Sequence, residues 1–279
     1  MLRMVENAID SYSYVNDMED MKEGSITEPI KNHNIDFKNV SFSYDDRPIL
    51  KNVSVEIKEN TMTAIVGPSG SGKTTFCNLI ARFWDVNSGE ILIGGKNIKD
   101  YKIENLMNSI SMVFQDVYLF EDTIENNIKF GKQNASHEEV VEAAKKARCH
   151  EFIEALPEGY DTIIGEGGAS LSGGEKQRIS IARAMLKDAG IIIFDEATAS
   201  IDPENEDKLK EAIESLTKNK TVIMIAHRLK TIRNADQILV LKDGEIAECG
   251  NHQELIKNNG LYSDLVKAKA KAESWKLNN

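Results

Sequence analysis

Residues Thr61 to Phe83 read TMTAIVGPSGSGKTTFCNLIARF. Ala64-Ile65-Val66 is a short apolar run that suits a buried strand. Gly67-Pro68-Ser69-Gly70-Ser71-Gly72 breaks it, and Lys73, Thr74 and Thr75 follow. Phe76, Leu79, Ile80 and Phe83 then recur at helical spacing. A glycine-rich loop between strand and helix is the context in which G-x-x-x-x-G-K-[ST] acts as a phosphate loop. Its glycines let backbone N–H groups turn inward and approach phosphate oxygens closely. The following helix points its positive N-terminal end at the same anion. Lys73 adds a full charge near the β- and γ-phosphates, and the Thr74 hydroxyl is a natural Mg²⁺ ligand. The stretch predicts a nucleoside triphosphate site.

Around it lies a chain of 279 residues, 41% hydrophobic and 28% charged, with material for one large domain or two small ones. No apolar run approaches the roughly 18 residues of a membrane-spanning helix. The N-terminal MLRMVENAIDSYSY lacks the apolar stretch of a signal peptide. A net charge of −11 argues against a general nucleic-acid binder, so no nucleic-acid partner is expected. Cys77, Cys149 and Cys249 are widely spaced and form no CxxC pair, which predicts neither a disulfide framework nor a zinc site and fits a reducing compartment.

Residues 1–34 carry seven acidic against three basic side chains and weak helical spacing, with Gly24 and Pro29 marking a linker. We read them as an acidic connector ahead of a domain over 35–272, with a tail at 273–279. From Ile35, alternation through Val40–Tyr44 and Val53–Ile57 predicts a small antiparallel sheet before the phosphate-loop strand. The middle of the chain, about 115–187, reads as a helical insert, with helices over Thr123–Phe130 and His137–Leu156. Strands Ile191–Phe194 and Thr221–Ala226 are continuously apolar, as in a buried parallel sheet. The fold class is therefore α/β: a phosphate-loop NTPase core with a mainly parallel sheet, an N-terminal antiparallel β subdomain and an inserted α-helical subdomain.

Two further stretches carry chemistry. Asp195-Glu196 ends an apolar strand, and in an open parallel sheet ligands sit beyond the carboxyl ends of the strands. There Asp195 can orient the Mg²⁺ shell, and Glu196 can act as general base on a water in line with the γ-phosphate. Leu171-Ser172-Gly173-Gly174-Glu175 has capping-box spacing from Ser172 to Glu175, which fixes a helix start. Gly173 and Gly174 leave the N–H donors of that start unobstructed, giving the chain a second anion-binding helix end.

With these residues in order, the sequence from about Ile35 to Lys267 resembles the nucleotide-binding domain of an ATP-binding-cassette (ABC) transporter. The matching motifs are an aromatic A-loop at Tyr44, the Walker A loop Gly67–Thr75, a Q-loop at Gln115, the signature Leu171–Glu175 and the Walker B strand Ile191–Asp195 with Glu196. A D-loop at Ser200–Asp202 and an H-loop at His227 complete the set. The resemblance implies that Tyr44 stacks on adenine and that Lys73 and the loop Gly67, Pro68, Ser69, Gly70, Ser71, Gly72, Thr74 and Thr75 hold the phosphates, the backbone N–H groups of all but Pro68 being available as donors. It places Thr74, Gln115 and Asp195 around Mg²⁺, and Glu196 and His227 on the attacking water and γ-phosphate. Ser172, Gly173, Gly174 and Glu175 of a second, head-to-tail domain would close over the same ATP, with Asp202 at the interface.

The Gly165-Glu166-Gly167 run resembles the x-loop of exporters, so the implied role is an ATPase that drives export at the cytoplasmic face of a membrane. Its partners would be a like or unlike second nucleotide-binding domain and transmembrane domains absent from this sequence. We expect a fragment of a longer membrane ATPase. A separate ATPase subunit of an importer and a soluble ABC protein of repair or translation are the alternatives.

Overall fold

The computed structural model describes residues 21–114, 116–165, 168, 170–195, 203–226 and 232–277. β1 (Ile35–Tyr44), β2 (Arg47–Ile57), β4 (Ser88–Ile93) and β5 (Lys96–Asn97) form an antiparallel sheet in the order β2-β1-β4-β5. The second sheet contains β3 (Met62–Val66), β6 (Ile110–Phe114), β9 (Ile191–Asp195), β10 (Thr221–Ile225), β11 (Gln237–Lys242) and β12 (Glu245–Gly250). Its order is β12-β11-β3-β10-β9-β6. All its pairings are parallel except that of β12 with β11. β10 is buried throughout and β9 is buried up to Asp195, because both faces of this sheet are covered.

One face packs on α1 (Lys73–Ile80), which lies between the two sheets. Phe76 of α1 stacks on Phe37 of β1 at 4.2 Å between centroids and 6° between planes. Leu79 and Ile80 join the same core, with Ile35 from one sheet and Ile193 and Ile223 from the other. The alternate residues of β9, Ile192 and Phe194, point into a second core. There they meet α6 (Gly173–Lys187) and α7 (Pro203–Thr217) through Ile179, Ala182, Leu209 and Ala212. A third core seats α8 (His252–Lys257) and α9 (Leu261–Leu277) on β3 and β11, with Leu255, Tyr262 and Val266 against Ala64, Val66 and Val240.

α2 (Ile103–Ser109) precedes β6, and between β6 and β9 comes the helical region expected from the sequence. It holds β7 (Asp122–Thr123), α3 (Ile124–Lys129), α4 (His137–Lys146), α5 (His150–Glu154), β8 (Ile163–Ile164) and α6. The single helix expected over His137–Leu156 is two helices. Arg148 takes a left-handed conformation (φ 55°), and the Cys149 N–H donates back to Ala144 O at 2.9 Å. A non-glycine residue in that conformation costs on the order of 1–2 kcal/mol, and the bend it makes seats Cys149 and Ile153 in the core.

Residues 21–34, within the stretch read as a connector, lie against the domain. Ile26 bridges Tyr101 in parallel, donating from its N–H to Asp100 O and accepting from Lys102 N–H, both at 2.9 Å. Asn105 Nδ2 donates to Glu28 O at 2.7 Å, and Ile30 is buried. Arg82, just past the end of α1 and left-handed at φ 52°, is 3% exposed. Its guanidinium donates to Lys22 O at 2.7 Å and to the Asp85 carboxylate at 3.0 Å. Charge-assisted hydrogen bonds of this kind contribute about 1.5–3 kcal/mol each when buried. Arg82→Met keeps the apolar stem and removes these bonds. We expect it to lower unfolding free energy by about 2–3 kcal/mol, read as a lower urea midpoint at constant slope, and an unchanged midpoint would contradict the clamp.

Candidate active site

Strand register sets the site. Ile65, Ile225, Asp195 and Phe114 stand opposite one another across β3, β10, β9 and β6, one row at the carboxyl end of the sheet. In the sequence Gln115 and Glu196 directly follow that row, and His227 follows two residues after Ile225. These three and Asp202 lie outside the described residues.

The phosphate loop leaves β3 at this edge. Gly67 passes so close to β11 that a Cβ there would sit 2.1 Å from Leu241 O, so no side chain fits. Gly72 is the N-cap of α1 at φ 98°, a conformation that glycine adopts without strain. It offers no side chain to cap the helix, and the first turn of α1 carries no acid. That turn therefore offers its backbone N–H groups and the positive end of the helix dipole to an anion. Lys73 Nζ donates to Gly67 O at 3.1 Å and to Pro68 O at 2.8 Å, holding its charge over the loop. Ser71 Oγ is buried with no hydrogen-bond partner among the described residues, a polar atom that an anion or water would satisfy.

A cleft of about 360 Å³ opens here, lined by Gly67, Ser69, Gly70, Gly72, Lys73, Thr74 and Thr75 of the loop, with Asp195, Ile225 and Ile49. The structure thus brings Lys73, Thr74 and Asp195 to one cavity. Thr74 supplies a hydroxyl and Asp195 a carboxylate, the hard oxygen donors that suit Mg²⁺ carried in with a nucleoside triphosphate. Pro68, Ser71 and Tyr44 are not in its lining. Tyr44 ends β1 opposite Arg47, further along the hairpin whose Ile49 reaches the cleft.

Ser172, Gly173, Gly174 and Glu175 are not in the lining either. They open α6 elsewhere, with the capping box formed. Ser172 N–H and Oγ–H each donate to Glu175 Oε2 at 2.8 Å, and Glu175 N–H donates to Ser172 Oγ at 3.4 Å. Ser172 and Gly173 are exposed, so this helix end faces solvent.

Two groups hold this helix in place: Gln177, which follows the signature in the sequence, ties it to the sheet edge, and Arg183, which the sequence did not single out, ties it to the helical region. Gln177 is buried and donates from Nε2 to Phe114 O at 3.3 Å, the last residue of β6. Arg183 donates to Asn127 O, Asn127 Oδ1 and Tyr118 O, with its guanidinium near the rings of Phe120 and Phe130. Burial lowers the Arg183 pKa to about 10, which leaves it charged at neutral pH. Gln177 shares the buried face of α6 with Gly174, Ile181 and Ala184, a helical spacing that the sequence shows.

The family profile described as "ABC transporter" matches residues 50–199, more than half of the chain. The chain belongs to the ABC transporter family and is an ATP-binding domain of the kind that hydrolyses ATP. It is 53% identical over 231 residues to an ATP-dependent lipid A-core flippase of Syntrophus aciditrophicus, covering 83% of this chain and 38% of that protein. It is 50% identical over 250 residues to a putative multidrug export ATP-binding/permease protein of Staphylococcus aureus, covering 88% and 43% respectively. The chain thus spans about two fifths of the length of these relatives. A bacterial Atm1-family ABC exporter solved with ATP bound superposes with a TM-score of 0.86 at 40% identity, over 96% of this chain and 48% of that one. No helix among the described residues is long and apolar enough to cross a membrane.

Cys77, on α1 beneath the phosphate loop, is buried. Burial pushes its thiol pKa up strongly, and the Asp195 carboxylate adds to the shift. Burial raises Cys149 to about 12, whereas Cys249 is exposed. Because the thiolate is the nucleophile, maleimide at neutral pH should label Cys249 in the native chain and reach Cys77 and Cys149 only in denaturant. Peptide mass spectrometry reads the result, and native labelling of Cys77 as fast as that of Cys249 would contradict this packing.

Proposed function

We propose that this chain is the ATPase engine of a membrane exporter, binding MgATP between its own phosphate loop and the signature helix of a second such domain. The observation that carries the reading is the meeting of Lys73, Thr74 and Asp195 in one cleft at the carboxyl edge of a parallel sheet. The loop amides, the N-terminal end of α1 and Lys73 hold the β- and γ-phosphates. Thr74, Asp195 and Gln115 are assigned to the Mg²⁺ shell, and Tyr44 to stacking on adenine.

Glu196 takes a proton from the attacking water as its oxygen bonds to the γ-phosphorus. The bond to the β-phosphate oxygen breaks and ADP leaves, with His227 and Gln115 holding water and γ-phosphate in line. The second half of the site is assigned to Ser172–Glu175 of the partner domain. What supports this is a glycine-rich helix start exposed to solvent at Ser172 and Gly173 and outside the lining of the chain's own cleft. Asp202 is assigned to the same interface. Head-to-tail pairing places two nucleotides between two such domains, like or unlike.

Export is supported by the relatives, one an ATP-dependent lipid A-core flippase and one a putative multidrug export ATP-binding/permease protein. In this reading, transmembrane domains pair with the ATPase at the cytoplasmic side, and residues 1–34 connect to them. Lys73→Ala should abolish MgATP binding measured by calorimetry. Glu196→Gln should keep binding while hydrolysis falls by about 10²–10⁴-fold, the usual contribution of a general base. Tight binding by the first variant, or unimpaired turnover by the second, would overturn the assignment.

A further inference from the structure

The helix that presents the phosphate loop also reaches toward Tyr44. After Ile80 the chain passes through left-handed Arg82 and turns outward at Phe83 and Trp84. That reversal brings the Trp84 ring to Tyr44 at 5.3 Å between centroids and 85° between planes. Phe42, two residues earlier on β1, meets Tyr44 at 4.8 Å and 88°, and Trp84 at 6.4 Å and 51°. Both contacts to Tyr44 are edge-to-face, an arrangement that aromatic pairs favour beyond simple area burial.

The two neighbours differ in kind. Phe42 is 3% exposed and belongs to the core between the sheets, while Trp84 is 47% exposed. An indole left this open in water contributes little to the core, yet its position fixes a ring on another element. Phe42 pairs with Leu50 across the hairpin, and Leu50 lies so close to Gly72 that a Cβ there would meet it at 2.8 Å. Tyr44 therefore stands one step beyond the residues that touch the phosphate loop, toward the hairpin tip.

We infer that Trp84 is a positioning residue for the base of the nucleotide: it braces Tyr44 through a perpendicular ring contact, so that the tyrosine ring is set for stacking before the nucleotide arrives. The inference rests on the base-stacking role proposed for Tyr44. A tyrosine near a hairpin tip that must be ordered on binding gives up affinity to side-chain entropy, and a brace removes that cost in advance. Because the brace acts on the base and not on the phosphates, it should matter for ATP and be silent for a polyphosphate. The fold thereby assigns the two ends of one helix to the two ends of one ligand.

Calorimetry on the 279-residue chain with MgATP and with magnesium tripolyphosphate, which has no base, separates the cases. Trp84→Ala should raise Kd for MgATP about three- to tenfold and leave that for tripolyphosphate within about twofold. Trp84→Phe and Trp84→Tyr, which keep an aromatic edge, should restore MgATP binding. Tyr44→Ala with Trp84→Ala should bind MgATP no worse than Tyr44→Ala alone, because the brace has nothing left to hold. The chain has two tryptophans, so Trp275→Phe leaves Trp84 as the reporting indole, whose emission should change with MgATP and not with tripolyphosphate.

Equal weakening for both ligands, or full additivity in the double variant, would overturn the brace. A normal loss in Tyr44→Ala beside an unaffected Trp84→Ala would overturn it alone. An unaffected Tyr44→Ala would overturn the base-stacking reading and the brace with it.

Discussion

The position of α1 between two sheets is the constraint on which the rest depends. A helix end can receive a phosphate only if its first turn is uncapped and open, a state that leaves several backbone donors unpaired. The other side of the helix compensates. Phe76 is stacked face to face on Phe37, and Cys77, Leu79 and Ile80 are buried against the parallel sheet. Each fully buried side chain of that size contributes roughly 1.5–3 kcal/mol, so the helix holds its place without a side-chain cap at its N-terminal end. Gly67 then lets the loop run against the Leu241 backbone where any side chain would collide, and Gly72 takes the positive φ that starts the helix.

The same sheet supplies the acid. Alternation along β9 sends Ile191 and Ile193 to the α1 side and Ile192 and Phe194 to the helical side. That burial on both faces leaves the carboxyl edge as the place where a polar residue can end the strand, and Asp195 lines the cleft there. Neighbouring strands end in the same row, so chemistry drawn from three distant parts of the sequence is gathered by register. Gln177 and Arg183 extend this order to α6: one holds the end of β6, and the other holds the segment between Tyr118 and Asn127.

Much of this was legible in the sequence because the residues concerned act through local rules. Gly67–Thr75 announces strand, loop and helix; Ser172 and Glu175 have the spacing of the capping box they form; Ile191–Phe194 is apolar enough to require cover on both faces. What escaped depends on contacts between distant parts. The break at Arg148 needs one left-handed residue that propensity disfavours, and only the core beneath Ile153 selects it. The order of residues 21–34 rests on backbone hydrogen bonds to Asp100 and Lys102, which leave no trace in side-chain pattern. Gln115, Glu196, Asp202 and His227 lie outside the described residues, so their roles rest on family resemblance and on their place in the sequence after that row.

The central claim is that each ATP site is shared between two chains, with Lys73 from one and Ser172 from the other. Its most direct test mixes two inactive variants, Lys73→Ala and Ser172→Arg, and measures ATP hydrolysis. In a mixed pair one site has both defects and the other has none, so the mixture should regain activity that neither variant has alone. A mixture as inactive as its parts would mean that the site is complete within one chain, and would contradict the account.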